Sequence, residues 1–234
     1  MKDGRIAISG KEAHHILDVM RLKKSDRVVT FDGTGKEYVG VIENALKTSL
    51  VVRIEEERRS PAGQAPSITL IQAIPKKEKM DYIVEKATEL GVNRVIPAMT
   101  DRTIVRWDRE KGAASAGRWR KIALASAKQC GRSDLPEITD VTVFRKCLAS
   151  LKDGGLRLIA ALSDESAPFK EELARQAVSE VIIAIGPEGD FTPDEIYEAV
   201  RAGFRLVSLG PRVLKSDTAG LFAISAINYE FSRK

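Results

Sequence analysis

The chain has 234 residues, enough for one large domain or two modest ones, each with its own core. It is 43% hydrophobic and 30% charged, an ordinary globular balance, and its net charge of +5 tilts it toward an anionic partner. No apolar run reaches membrane-spanning length, the start "MKDGRIAISGKEAHH" has no apolar signal region, and Cys130 and Cys147 stand apart without metal-ligand spacing. A cytoplasmic protein with reduced thiols, no membrane contact and no metal is expected.

Residues 1 to 66 read as β-rich. "RIAIS", "RVVTFDG", "EYVGVIENA" and "SLVVRIEEE" are short β-branched runs punctuated by Gly, Asp and Asn. One helix, Gly10 to Met20, interrupts them, and the pattern fits a small barrel. His14 and His15 are neighbours on that helix, so they point in different directions and make poor metal ligands. "FDGTGKEY" reads as a hairpin turn; its "GTGK" lacks the earlier glycine of a phosphate loop, and Glu37 stands where Ser or Thr is needed.

"RSPAGQAP", residues 59 to 66, carries two prolines and a glycine without periodicity and reads as a linker. Strands and helices then alternate. "SITLIQAI" is a strand. "KKEKMDYIVEKATELG" is a helix with Met80, Ile83, Val84, Ala87 and Leu90 on one face, closed by Gly91. "RVIPAMT" is a strand and "GRWRKIALASAKQCG" a helix. "LRLIAAL", "EVIIAIG" and "FRLVSLG" are three further strands, and a last helix runs from Ser216 to Phe231. Such alternation predicts a largely parallel sheet with helices on both faces, from residue 67 to 234.

Two loops carry the chemistry. "IGPEGDFTPDEI", residues 185 to 196, runs from a strand into a helix, where ligands collect in open α/β sheets. Gly186 and Gly189 permit positive φ and close approach of a ligand to the backbone. Thr192 as N-cap, Pro193 at the first helical position and Glu195 form a capping box. A phosphate would compete there with Glu188, Asp190 and Asp194, so the loop suits a neutral or cationic ligand. "SLGPRVLKSDTAGL", residues 208 to 221, repeats the arrangement, with Gly210-Pro211 echoing Gly186-Pro187. Val213 and Leu214 are apolar residues in a polar loop and suit the flat face of an aromatic ligand. Ser216, Asp217 or Thr218 also has the chemistry of a helix cap.

The pair "IGPEGDFTPDEI" and "LGPRVLKSDTA" resembles the signature of the knotted, SPOUT-class RNA methyltransferases. More closely it resembles the RsmE family, which methylates N3 of a uridine in 16S ribosomal RNA. "HHILDVMRLKKSDRV", "QAIPKKEKMDYIVEKATELGVNRVIPAMTDRTIV" and "RWRKIALASAKQCGRSDLPEI" agree with that family in matching order, so the resemblance spans nearly the whole chain. It implies a PUA-like RNA-binding β-barrel over 1–66 and an α/β domain with a trefoil knot over 67–234. It also implies S-adenosyl-L-methionine as cofactor, 16S ribosomal RNA of the small ribosomal subunit as partner, and a homodimer.

Carried over residue by residue, Ile185, Gly186, Pro187, Glu188 and Gly189 match the first cofactor loop. Leu209, Gly210, Val213, Leu214 and Thr218 match the second, and Leu162, ending an earlier strand, is a looser match to the adenine pocket. Asp190 departs from the family's usual "GPEGG", "LKSDTA" departs from its usual "LRTETA", and the start is short of the arginine-bearing leader expected. Methylating a uracil N3 requires removal of its proton. Asp217 is the candidate base, with Arg212 or Lys215 stabilising the developing anion. Between Lys76 and Arg132, basic residues outnumber acidic ones about twofold. Lys76, Lys77, Lys79, Arg102, Arg106, Arg118, Arg120, Lys121 and Arg132 belong to that stretch. Of these, Lys76, Lys79, Arg102, Arg118 and Arg132 are the RNA-facing candidates, and Arg21 joins them from the N-terminal segment. A non-catalytic RNA-binding or assembly factor, and a methyltransferase for another RNA, remain alternatives on sequence alone.

Overall fold

The structure, a computed structural model, describes residues 3–59, 65–76, 79–104, 108–152, 154–175 and 178–231. The chain forms two compact units: Met1–Ala62 with Arg132–Asp134, and Gly63–Gly131 with Leu135–Lys234. Most of the expected linker, residues 60–64, lies outside the described residues, as do Lys77 and Arg106.

The first unit holds an antiparallel sheet of β1 (Arg5–Ser9), β2 (Arg27–Phe31), β3 (Lys36–Leu46) and β4 (Ser49–Arg59), in the order β1-β4-β3-β2. Ile42, Leu50 and Val52 alternate inward along β3 and β4 and pack with Ala13, Ile16 and Val28. The expected helix splits in two. α1 covers Gly10–His14, and a π-helical turn follows over His15–Val19. The wider turn leaves Met20 N–H on His15 O at 2.9 Å and Leu22 N–H on Ile16 O at 3.0 Å. "FDGTGKEY" is the hairpin connection: Asp32 Oδ1 accepts from Thr34 N at 2.8 Å and from Thr34 Oγ1 at 2.6 Å. These bonds hold the Asp32 carboxyl below its ordinary pKa, because they favour the charged form.

The second unit is a parallel sheet between two helical layers. Its elements are β5 (Ser67–Ala73), α2 (Lys79–Glu89), β6 (Arg94–Met99), α3 (Arg109–Cys130), β7 (Glu137–Ile138), β8 (Thr142–Val143), α4 (Phe144–Ser150), β9 (Leu156–Ala160), β10 (Ala167–Pro168), α5 (Phe169–Ala174), β11 (Glu180–Ile185), α6 (Pro193–Arg201), β12 (Arg205–Ser208) and α7 (Ser216–Phe231). Strand order is β10-β12-β9-β11-β5-β6-β7, with β8 paired to β6.

The central strands read as continuous apolar runs because both of their faces are covered. Ile68 and Leu70 of β5 and Val181 and Ile183 of β11 meet Met80, Ile83, Val84 and Ala87 of α2 and Ala223, Ile224 and Ile227 of α7. Ile71, Ile182 and Ala184 turn to the other side, onto Phe144 and Cys147 of α4 and Ala199 of α6. The stripe expected on α2 is the buried one, with Leu90 half-buried against it. Burial pushes the Cys147 thiol up to about 11, so this cysteine is a small apolar core residue rather than a nucleophile.

Gln72 is the polar exception on the α7 side of β5, with no exposed surface. Its Nε2 donates to Ser216 Oγ at 2.9 Å and to Ala73 O at 3.1 Å. Gly220 of α7 lies over the same side chain, where a Cβ would stand 2.8 Å from Gln72 Oε1. That oxygen has no hydrogen-bond partner among the described residues, but its amide nitrogen is held by two bonds, so the side chain cannot move aside without breaking them. Gly220→Ala should therefore lower the unfolding free energy by about 1–3 kcal/mol through overpacking. Denaturant titration checks this, and a variant as stable as the parent would refute the close approach.

Candidate active site

β12, β9 and β11 are neighbours in the sheet, and the loops at their carboxyl ends converge on one cavity of about 410 Å³. That volume lies in the range of small-molecule sites. Leu162 lines it from the β9 loop. Ile185, Gly186, Pro187, Glu188 and Gly189 line it from the β11 loop. Leu209, Gly210, Arg212, Val213, Leu214 and Lys215 line it from the β12 loop. Pairing "IGPEGD" with "SLGPRVLKSD" as walls of one cleft was thus legible before the fold. Ala160, Ala161, Asp190, Val207, Ser208, Ser216 and Ala219 line it too and were not anticipated as lining residues.

Two expected members lie elsewhere. Thr218 is exposed on α7 and outside the cavity. A helix turns about 100° per residue, so Ser216 and Ala219 share the cleft-facing side while Thr218 looks away. Asp217 also does not line the cavity. It is partly buried and meets Lys79, whose Nζ lies 3.4 Å from Asp217 Oδ1 and 3.9 Å from Glu188 Oε1. Glu188 additionally accepts the Lys76 backbone N–H at 3.1 Å. The start of α2 thereby carries a cation against its own helix dipole, and two carboxylates offset it.

The glycines act differently from expectation. Gly186 and Gly189 do not adopt left-handed φ; Asp190 does, at 62°, and Gly210, at 123°. Gly186 is tightly enclosed, since a Cβ there would stand 3.1 Å from Asp190 Oδ1 and 3.2 Å from Phe191, which would both have to give way. The capping box is as expected: Thr192 Oγ1 accepts from Glu195 N, and Glu195 Oε2 accepts from Thr192 N at 3.0 Å. Glu195 is 1% exposed, and its other oxygen accepts the Asp101 N–H at 2.9 Å. Arg102 beside it donates to Gly189 O at 2.5 Å and to Phe191 O at 3.3 Å. The β11 loop is therefore held from outside by the loop that follows β6.

A hydroxyl holds the same loop from beneath. Ser216 Oγ donates to Gly186 O at 2.7 Å while accepting from Gln72. Ser216 sits at the start of α7, so one buried residue joins β5, the β11 loop and the β12 loop.

The expected RNA-facing cations divide. Arg21 and Lys76 are exposed. Arg102 and Lys79 brace the cleft as described, and Arg118 pairs with Asp81. Arg132 is engaged within its own segment. Its side chain is only 10% exposed and its guanidinium forks onto Asp134, at 3.0 and 2.7 Å, which holds that carboxyl below its ordinary pKa. Its geometry is that of a structural pair. Charge counting could not separate these cases, because an ion-paired cation and a free one read alike in sequence.

No group of three or more His, Cys, Asp or Glu side chains among the described residues is placed to hold a metal. No helix among them is long and apolar enough to cross a membrane.

A parallel sheet whose strand ends open into a loop-walled, carboxylate-bearing cleft, preceded in the chain by a small antiparallel β unit, is the architecture of the knotted SPOUT-class RNA methyltransferases. The model of the RNA methyltransferase domain family matches residues 63–228, and that of the RNA methyltransferase PUA domain matches 8–55. The ribosomal RNA small subunit methyltransferase E of Bacillus subtilis is 30% identical over 231 residues, covering 96% of this chain and 90% of that protein. Its counterpart in Mycobacterium bovis is 28% identical, covering 98% and 88%. The crystal structure of the Neisseria gonorrhoeae enzyme of the same name, bound to S-adenosyl methionine, superposes with a TM-score of 0.83 at 28% identity, covering 96% of this chain and 91% of that one. The chain belongs to the RsmE family of RNA methyltransferases.

Ser216→Ala should lower stability by about 1–3 kcal/mol, because it strands the buried Gln72 donor and the Gly186 carbonyl together. Equilibrium unfolding measures it; a loss below about 0.5 kcal/mol would mean the hydroxyl links nothing of consequence.

Proposed function

We propose that the chain binds S-adenosylmethionine in this cleft and methylates N3 of a uridine in 16S ribosomal RNA of the small ribosomal subunit. The observation that carries the reading is the chemistry of the cleft walls. Leu162 and Val213 leave 70% and 74% of their surface exposed. Burying such side chains against a flat aromatic group is worth about 1.5–3 kcal/mol each. Glu188, from the β11 loop, gives the cleft a negative group suited to a sulfonium or an ammonium and poorly suited to phosphate. Both halves of S-adenosylmethionine, an adenine and a charged methionine arm, fit this donor set.

When bound, the cofactor supplies the methyl group to the uridine nitrogen. The chain's own residues then have three tasks. The apolar wall of Leu162, Leu209, Val213 and Leu214 orients the flat part and excludes water, so that most of the barrier is lowered by alignment. Arg212 and Lys215, exposed at the cleft mouth, face the incoming RNA and stabilise the imide anion that forms as N3 loses its proton. Asp217, outside the cavity lining but one residue from Ser216, accepts that proton, and Lys79, shared with Glu188, holds its carboxylate in place.

The N-terminal unit serves as the RNA-binding barrel, with exposed Arg21 among its phosphate contacts. The chain works as a homodimer in the cytoplasm. Phe222 and Tyr229, 44% and 86% exposed and seven residues apart on α7, form an apolar stripe suited to a second copy.

The test uses small subunits from a strain lacking the modification, incubated with protein and S-adenosylmethionine. Reverse transcription should stall at one uridine, since N3-methylation blocks the pairing edge. Asp217→Ala and Arg212→Ala should each reduce single-turnover methylation by roughly 10²–10⁴-fold with an unchanged circular dichroism spectrum. Absence of any protein-dependent stall would contradict the substrate, and undiminished turnover in both variants would contradict the roles.

A further inference from the structure

Asp190 closes the turn of the β11 loop, its N–H on Pro187 O at 3.0 Å. Its φ of 62° is left-handed. Glycine adopts this region freely, and aspartate is among the few other residues that tolerate it. Both carboxylate oxygens are engaged. Oδ1 accepts the Phe191 N–H at 2.8 Å, a local bond that supports the turn. Oδ2 accepts the Leu162 N–H at 3.0 Å. The second bond links residues 28 apart in sequence and joins the β11 loop to the β9 loop. Asp190 and Leu162 both line the cleft.

We propose that Asp190 is a positioning residue of the cofactor site: its carboxylate latches the β9 loop to the β11 loop and thereby sets where Leu162 presents its apolar side chain. The role rests on the cofactor reading given above. Three features support it. Leu162 is 70% exposed, so packing of its own side chain does not fix its place. The β11 loop is a firm anchor, bound by Arg102 from outside and by Ser216 from beneath. The absence of a side chain at Gly186 leaves room for the carboxylate, since a Cβ there would crowd Asp190 Oδ1 at 3.1 Å. A glycine at 190 would keep the turn and lose the latch. The cleft then pre-organises one of its adenine-facing walls before ligand arrives, which reduces the ordering cost of binding.

The test compares the full-length parent with Asp190→Gly and Asp190→Asn. Isothermal titration with S-adenosylmethionine gives affinity, and amide hydrogen exchange reads the Leu162 N–H directly. Glycine suits the φ, so that variant is expected to fold; asparagine tolerates the same φ and keeps an oxygen acceptor. Asp190→Gly should bind the cofactor roughly 5- to 20-fold more weakly, the order expected for one partly exposed charge-assisted hydrogen bond. Its Leu162 amide should exchange faster. Asp190→Asn should recover most of the affinity and the slow exchange. A glycine variant that binds as tightly as the parent would overturn the latch. An asparagine variant as weak as glycine would overturn it too, assigning Asp190 to direct charge contact with the cationic ligand. A parent chain that binds no S-adenosylmethionine would instead overturn the cofactor reading, and this role with it.

Discussion

The hydrogen-bond chain from Gln72 through Ser216 to Gly186 is the constraint on which the rest of the second unit depends. It is buried, it is short, and it ties together a central strand, a loop and the start of the last helix. An unpaired polar group at such depth costs more than the bond itself contributes, so the arrangement is strongly enforced once formed. Because Ser216 is fixed, the loop before it, with Arg212, Val213, Leu214 and Lys215, leaves β12 toward the cleft. Because Gly186 is fixed, the β11 loop cannot swing away from it. The close approach of Gly220 to Gln72 belongs to the same device: α7 settles onto β5 at a distance only a residue without a side chain allows.

The cleft is held by backbone and carboxylate contacts, while its exposed side chains are left for ligands. Arg102, Glu195, Lys79 and Ser216 are spent on bracing loops. Leu162, Val213, Arg212 and Lys215 face solvent in or at the mouth of the cavity. That division suits a site whose chief task is alignment of two reactants, since rigidity in the frame converts binding into orientation. It also gives several of the cations in the basic stretch a partner within the protein. Lys79 at the start of α2 and Arg102 after β6 both brace the loops around the cleft.

Much of this was legible in sequence. Continuous apolar strands, the α2 stripe, the Thr192–Glu195 capping box and both Gly-Pro loops follow from local periodicity and local chemistry, which the fold does not override. The misses have identifiable causes. α3 begins at Arg109, capped by Asp108 Oδ1 on Lys111 N at 2.8 Å, well before the expected start. Gly112, Gly117 and a run of small residues hide that first half, although Gly112 suits close packing on Val141, 3.3 Å from where a Cβ would be. The π-helical turn after α1 has no periodic signature in five residues. Short α4 and α5 are too brief for a periodicity to emerge. Among site residues, Thr218 stands outside the cavity lining, a placement a linear motif cannot give because it carries no helical phase. Asp190 looked like a blemish because its partner, Leu162, lies far away in the chain, and hydrogen bonds at that separation leave no local trace.

The central claim is that three strand-end loops form one preset cofactor cleft. Amide hydrogen exchange of the whole chain, with and without saturating S-adenosylmethionine, tests it most directly. The account predicts new protection concentrated at residues 160–163, 186–190 and 209–215, with little change in the antiparallel unit or in α4. Protection confined to one loop, or centred outside these three segments, would contradict it.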